Sequence, residues 1–181
     1  MKIVAIVYGT RPEAIKLAPL IVSLKNTPGI KAVVVCTGQH KEMLEGILEI
    51  WRLKNDYVID SNFNSSHSSA IPYLMVSLEK IFLDVSPDLV VVQGDTATAT
   101  AGAIQAHALH VQVAHVEAGL RSGDLWNPWP EESNRRIIDS IASLHFAPTK
   151  SAAKNLEGEG YGPTTTITGN TIVDALIHAS K

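Results

Sequence analysis

Short β-branched apolar runs alternate with longer segments of helical period along the whole chain, and no other feature constrains its fold as tightly. KIVAIVYG precedes PEAIKLAPLIVSLKN, IKAVVVCTG precedes HKEMLEGILEIW, and DYVID precedes a segment around SSAIPYLMVSLEKIFLD. DLVVVQG then leads into TATATAGAIQAHAL, VQVAHVEAG into EESNRRIIDSIAS, LHFAP into TKSAAKNLEGE, and TTTITGN into TIVDALIHAS. Strands separated by helices lie parallel. Runs such as IVAIVYG and VVVQG are apolar on both faces, as strands covered by helices on both sides must be. With right-handed crossovers this predicts an α/β fold, a doubly wound, Rossmann-like parallel sheet of about seven strands. The first helix is expected to face the sheet through Ile15, Ala18, Pro19 and Val22, to carry Pro12 at its start and to kink at Pro19. Ser61 to Ser69 reads as a mobile loop and GEGYGP as a turn.

The chain's 181 residues suit a single domain, 1–181. A formal charge of −3 without a lysine and arginine cluster argues against nucleic acid as a partner. MKIVAIVYG is only a strand's length and the helical pattern after it is charged, so neither a signal peptide nor a membrane span fits, and a cytoplasmic location is expected. The single cysteine, Cys36, lies in an apolar run and reads as a small buried hydrophobe. His107 and His110 fall on or after a helix, without HExxH or carboxylate-rich spacing, so no metal is expected.

In an open α/β sheet the carboxyl ends of the strands form the ligand crevice. Asp95 in VVQGDT and Glu117 in VAHVEAGLRS follow strand-like runs, and Glu131 in NPWPEESNRR follows a proline-bracketed loop. The three read as a catalytic set. Asp95 equally suits an N-cap for a helix starting near Thr96. His115 and Glu117 share one strand face by period two and would converge at the strand's exit; a structural histidine is the plainer alternative there. Glu131 with Arg135, and Glu132 with Arg136, are i, i+4 pairs that an exposed helix also uses as ordinary salt bridges. Helical period nevertheless aligns Glu131, Asn134, Arg135 and Ile138, and the lead-in Asn127-Pro128-Trp129-Pro130 fixes where Glu131 points. In YGTRPEAIK, Gly9 ends the strand, Thr10 can cap the helix, and Arg11 and Lys16 flank an N-terminus whose free N–H groups favour an anion. The alternative is a capped helix with two solvated basic side chains. Neither a Walker loop nor a dinucleotide fingerprint is present.

Taken together, these segments resemble the non-hydrolysing UDP-N-acetylglucosamine 2-epimerases. The residues that carry the resemblance are Gly9 to Lys16, Thr37-Gly38-Gln39-His40, Gly94-Asp95-Thr96, His115 to Arg121, Pro130-Glu131-Glu132 with Asn134-Arg135, and Thr168 to Thr171 with Asp174. The resemblance implies a cofactor-free isomerase interconverting UDP-N-acetylglucosamine and UDP-N-acetylmannosamine by elimination and re-addition of UDP, in the service of cell-surface polysaccharide biosynthesis. It implies a glycosyltransferase-B-like fold of which this chain looks like the N-terminal half, with the family's C-terminal nucleotide-binding domain absent and the half inactive alone. Asp95, Glu117 and Glu131 become the acid/base set, and Arg11, Lys16, Arg135 and His115 substrate contacts. Gln39 and His40 match a segment that touches a regulatory nucleotide sugar in some members. A homodimer and a separate chain supplying the C-terminal domain are the protein partners it suggests. Two further readings stand beside it: a subunit of a two-chain glycosyltransferase, and a catalytically silent binding or assembly module, which a large exposed apolar patch near the C-terminal helix would favour.

Overall fold

The computed structural model describes residues 1–38, 46–47, 49–59 and 67–180. In chain order they form β1 (Lys2–Tyr8), α1 (Arg11–Lys25), β2 (Ile30–Cys36), β3 (Tyr57–Val58), α2 (His67–Val85), β4 (Leu89–Gln93), α3 (Ala97–Ala108), β5 (Gln112–Val116), α4 (Glu131–Ile141), β6 (Leu144–Ala147), α5 (Lys150–Gly158), β7 (Thr165–Ile167) and α6 (Ile172–Ala179), with a 3₁₀ turn at Gly162–Thr164. The seven strands make one sheet in the order β3-β2-β1-β4-β5-β6-β7, all pairs parallel. The chain runs outward from β1 to β3, then returns to the other side of β1 at β4. Between β1 and β4 the order reverses, and such a switch point opens a crevice beyond the carboxyl ends of the strands.

Strand alternation explains why these runs are apolar throughout. Ala5, Val7, Val33, Val35, Val90, Val92 and Val113 point into one layer with Leu74, Leu78 and Phe82 of α2 and Ala99, Ala103 and Ala106 of α3. Val4, Ile6, Tyr8, Val34, Cys36, Val91 and Ala114 point the other way, against Ala14, Leu17, Ala18 and Ile21 of α1. Each fully buried Leu or Val contributes about 1.5–3 kcal/mol relative to exposure. Cys36 is buried in the second layer, as its run implied. Tyr8 is wholly buried and donates its hydroxyl to Asn55 Oδ1 at 2.6 Å, which keeps its one polar atom satisfied.

The sheet-facing side of α1 differs from expectation. Ala14, Leu17, Ala18 and Ile21 are buried, whereas Ile15, Pro19 and Val22 are only half-buried. Both sets satisfy i, i+3, i+4, i+7, so the pattern alone allows two frames one residue apart. The buried anchor Glu13 accepts from Gly9 N and Thr10 N and so selects the first frame. The helix span runs through Pro19 unbroken. Of the expected loop from Ser61 to Ser69, residues 67–69 belong to α2, and the remainder lies outside the described residues, as do Gln39 and His40. No helix among the described residues is long and apolar enough to cross a membrane.

Candidate functional site

The turn after β1 is built around two side chains. Thr10 is the extended N-cap of α1, and Glu13 folds back so that its Oε2 accepts from Gly9 N at 3.0 Å and Thr10 N at 2.7 Å. Its Oε1 accepts from Thr96 Oγ1 at 2.6 Å, tying this turn to the one after β4. Burial pushes the Glu13 carboxyl up, opposed by the bonds from Thr96, Gly9 and Thr10. Beneath the turn, Thr37 and Thr98 hydroxyls meet at 2.9 Å, and a Cβ on Gly9 would lie 2.2 Å from one and 2.3 Å from the other. Only glycine fits there. Arg11 is exposed on the first turn of α1, and Lys16 reaches toward the sheet.

At the next strand, Gly94 turns with φ +72° and presents Asp95. Asp95 does not cap α3. That position belongs to Thr96, whose hydroxyl accepts from Ala99 N at 3.0 Å, so the Asp95 carboxylate is left for other partners. Arg135 NH2 lies 2.6 Å from Asp95 Oδ2, and Asn134 Nδ2 donates to the Asp95 carbonyl at 2.7 Å. Helix α4 therefore clamps this residue through two consecutive side chains.

Glu117 stands one residue beyond β5 with φ +68°. A non-glycine residue in the left-handed region costs about 1–3 kcal/mol, and such outliers cluster at functional sites. The conformation breaks the period-two alternation, so Glu117 and His115 do not share a face as expected. Glu117 turns to meet Lys16 Nζ at 2.6 Å, Gln93 Nε2 at 3.2 Å and Asn170 Nδ2 at 3.5 Å. His115 instead points inward, fully buried, with Nδ1 2.5 Å from Asp139 Oδ1 and Nε2 2.7 Å from the Gly94 carbonyl. Both ring nitrogens are engaged within the protein, so His115 supports the Asp95 turn from below and is not an open substrate contact.

Glu131 opens α4, after a lead-in whose Asn127-Pro128 and Trp129-Pro130 bonds are both cis. The i, i+4 salt bridge with Arg135 that an ordinary exposed helix would use does not form. Glu132 is the helix's pairing acid: its buried carboxylate accepts from Arg135 NH1 at 3.1 Å, Arg136 Nε at 3.0 Å and Ser122 N at 3.0 Å. Burial opposes that charge, but the bonds outweigh it and hold Glu132 below the ordinary carboxylate range. Glu131 Oε2 and Arg135 Nε are buried polar atoms without a hydrogen-bond partner among the described residues, one turn apart on the same helix. Leaving such groups unpaired costs about 1–3 kcal/mol each, which is tolerable where a ligand completes them.

This arrangement places two ion-paired carboxylates, Asp95 and Glu117, after adjacent strands, a third acid, Glu131, at the start of the helix whose Arg135 holds Asp95, and the exposed cation of Arg11 on the first turn of α1. Carboxylates beside cations at a crevice suit proton transfer at a carbon whose neighbour loses an anion. The sequence profile described as UDP-N-acetylglucosamine 2-epimerase matches residues 22–181. The chain belongs to this family. UDP-N-acetylglucosamine 2-epimerases of Campylobacter jejuni and Bacillus subtilis are 42% and 44% identical to it, over 100% and 94% of this chain but only 48% and 45% of their own length. The crystal structure of the Neisseria meningitidis 2-epimerase bound to UDP-GlcNAc superposes with a TM-score of 0.93 at 40% identity, covering 98% of this chain and 49% of that one. Acinetobacter baumannii MurG, at 15% identity and a TM-score of 0.65, shows the glycosyltransferase-B-like fold alone. The chain thus spans about half the length of the 2-epimerases it matches, and corresponds to their N-terminal half.

Within this 2-epimerase half, the site contains partners to which the sequence motifs alone assign no role. Gln93 and Asn170 both reach Glu117, and Asp139 holds His115. Gln93 is a polar residue closing the apolar run LVVVQ, Asn170 lies in the Thr168 to Thr171 motif, and Asp139 is an acid on the buried side of an amphipathic helix, next to Ile138.

Proposed function

We propose that this chain carries the acid/base half of a UDP-N-acetylglucosamine 2-epimerase site, with Asp95, Glu117 and Glu131 sharing the proton transfers. The observation that carries the reading is Glu117, held in a strained left-handed conformation at the crevice and paired with Lys16 at 2.6 Å. In the reaction, a carboxylate takes the C2 proton, the C2–H electron pair forms the C1–C2 double bond, and the C1–O bond breaks with its electrons leaving on UDP. The 2-acetamidoglucal then takes a proton on the opposite face of C2 while a UDP oxygen re-adds to C1. Atoms and electrons balance with no redox partner. Proton handling on both ring faces needs more than one carboxylate, which is why several acids at one crevice favour this chemistry over transfer of a sugar. Arg11, Lys16 and Arg135 offset the diphosphate charge, the latter two also holding Glu117 and Asp95 in place. UDP-GlcNAc is the substrate class, as supported by the Neisseria meningitidis and Methanocaldococcus jannaschii relatives whose structures hold it.

The single domain 1–181 supplies one wall of the cleft, and a nucleotide-binding second half, on the same or another chain, supplies the other. Proton NMR of UDP-N-acetylglucosamine in D2O tests this. The 181-residue chain alone is expected to leave the C2 proton signal intact, and addition of a relative's C-terminal half to bring C2 exchange, the manno epimer and free UDP. Absence of exchange in the folded, reassembled pair would reject the reading.

One observation favours the assembly-module alternative. Val173, Leu176 and Ile177 lie at i, i+3 and i+4 on α6 and are 52%, 64% and 53% exposed, so this helix offers an apolar row of the kind that meets another surface. A pair that associates on a sizing column but never exchanges C2 would select that alternative.

A further inference from the structure

The fully buried contacts of His115 decide more than its location. A backbone carbonyl can only accept, so Nε2, 2.7 Å from Gly94 O, carries a proton. At the other side, Nδ1 faces Asp139 Oδ1 at 2.5 Å, while Oδ2 of the same carboxyl accepts from Arg121 NH2 at 2.7 Å and from Gly119 N at 3.3 Å. The Arg121 guanidinium and the Gly119 N–H on Oδ2 hold the group as a carboxylate independently of His115, so Oδ1 faces Nδ1 as an acceptor. Nδ1 is then a donor as well. His145, which approaches Asp139 from β6, donates from Nε2 to the Asp139 carbonyl at 2.9 Å, and its Nδ1 lies 2.9 Å from the Thr164 hydroxyl, which itself donates to the Tyr161 carbonyl at 3.0 Å.

A buried cation needs compensation, and it is present. Glu159, Arg121, Asp139 and His115 alternate in sign, with Arg121 NH2 2.6 Å from Glu159 Oε2. The chain of charges ends on the Gly94 carbonyl, which belongs to the same planar peptide as the Asp95 N–H. Gly94 N is held by the Val116 carbonyl at 3.0 Å, the Asp95 carbonyl by Asn134, and the Asp95 carboxylate by Arg135. Asp139, Asn134 and Arg135 all lie on α4, so one helix grips this turn directly from one side and through His115 from beneath.

We propose that His115 and Asp139 are a positioning pair, the ring doubly protonated, which pins the Gly94–Asp95 peptide and presents Asp95 to the crevice in one orientation. The functional part rests on Asp95 belonging to the acid/base set. In 15N spectra of the 181-residue chain, both His115 ring nitrogens are expected to be protonated at neutral pH. In Asp139→Asn the ring loses its anionic partner and falls back to one proton, the Gly94 and Asp95 amide resonances shift, and β7 resonances stay. In the reassembled pair, that variant should lose about 10- to 100-fold in kcat with little change in KM, since misplacement of a reacting group costs about that much. An unprotonated ring nitrogen in the unaltered chain overturns the proposal, whether or not the variant folds. So do unshifted Gly94 and Asp95 resonances in a folded Asp139→Asn chain. If the unaltered pair shows no C2 exchange, the epimerase reading fails separately, and the two spectroscopic results still decide the pair.

Discussion

Glu117 joins sequence, strain and chemistry in one residue. VAHVEAG places an acid after an apolar run, which is legible, but its left-handed φ of +68° is not, because nothing in the local pattern asks a glutamate to adopt it. The tertiary partners Lys16, Gln93 and Asn170 come from three other segments and stabilise that turn from outside. Glu117→Gln keeps the shape and removes one carboxylate of the proposed acid/base set, so C2 exchange in the reassembled pair should vanish while the far-ultraviolet circular dichroism stays unchanged; undiminished exchange would remove Glu117 from the set. Asp139 supplies a pH prediction. Its carboxyl is held below the ordinary value of about 3.9, so its stabilisation is fully present above that pH and is lost as pH falls through the lower folded value. Relative to the parent, Asp139→Asn should therefore show its full loss of urea stability at pH 7 and a smaller loss at pH 3. A loss equal at both would mean that the charge of Asp139 is not what stabilises the fold.

The helices show where periodicity suffices and where it does not. TATATAGAIQAHAL becomes α3, and EESNRRIIDSIAS becomes α4 from its first acid, as their patterns imply. Frame and caps were ambiguous. Two i, i+3, i+4, i+7 sets fit α1, and both Asp95 and Thr96 are chemically able to cap α3; the contacts of Glu13 settle both, since its buried carboxylate bonds Gly9 and Thr10 on one side and Thr96 on the other. This dual duty distinguishes Thr96 from Thr149, which caps α5 by accepting from Ala152 N and has no such link. Each Thr→Ala change should cost about 0.5–2 kcal/mol for the cap itself. Thr96→Ala should cost more than Thr149→Ala by about 1–3 kcal/mol, because it leaves an oxygen of buried Glu13 without its donor. Chemical denaturation of the two variants measures the difference, and equal costs would show that the Glu13 link contributes nothing.

Across the whole molecule, the two apolar layers cover the centre of the sheet and thin toward its ends. β1 is buried on both faces and paired on both edges, whereas β3 has two residues and β7 three, with Thr166 and Ile167 exposed. Local opening follows such differences in burial and bonding. Amide hydrogen exchange should be slowest in β1, β4 and β5 and fastest in β3 and β7, and a uniformly protected sheet would contradict this account of where the stability resides. Slow exchange at β5 and β4 also bears on the proposed site, because Asp95 and Glu117 are mounted on their ends. The sequence by itself determined the class of fold, the succession of strands and of the described helices along the chain, and the acids that end two strands, since apolar period and strand-ending polar residues are local properties. Only the tertiary structure decided which side of α1 is buried, that Thr96 and not Asp95 caps α3, that Glu132 and not Glu131 pairs with the helix arginines, and that His115 turns inward to Asp139. Those outcomes depend on contacts between segments distant in the chain, and a buried carboxylate or imidazole takes whichever donors and acceptors the folded layers bring within bonding distance.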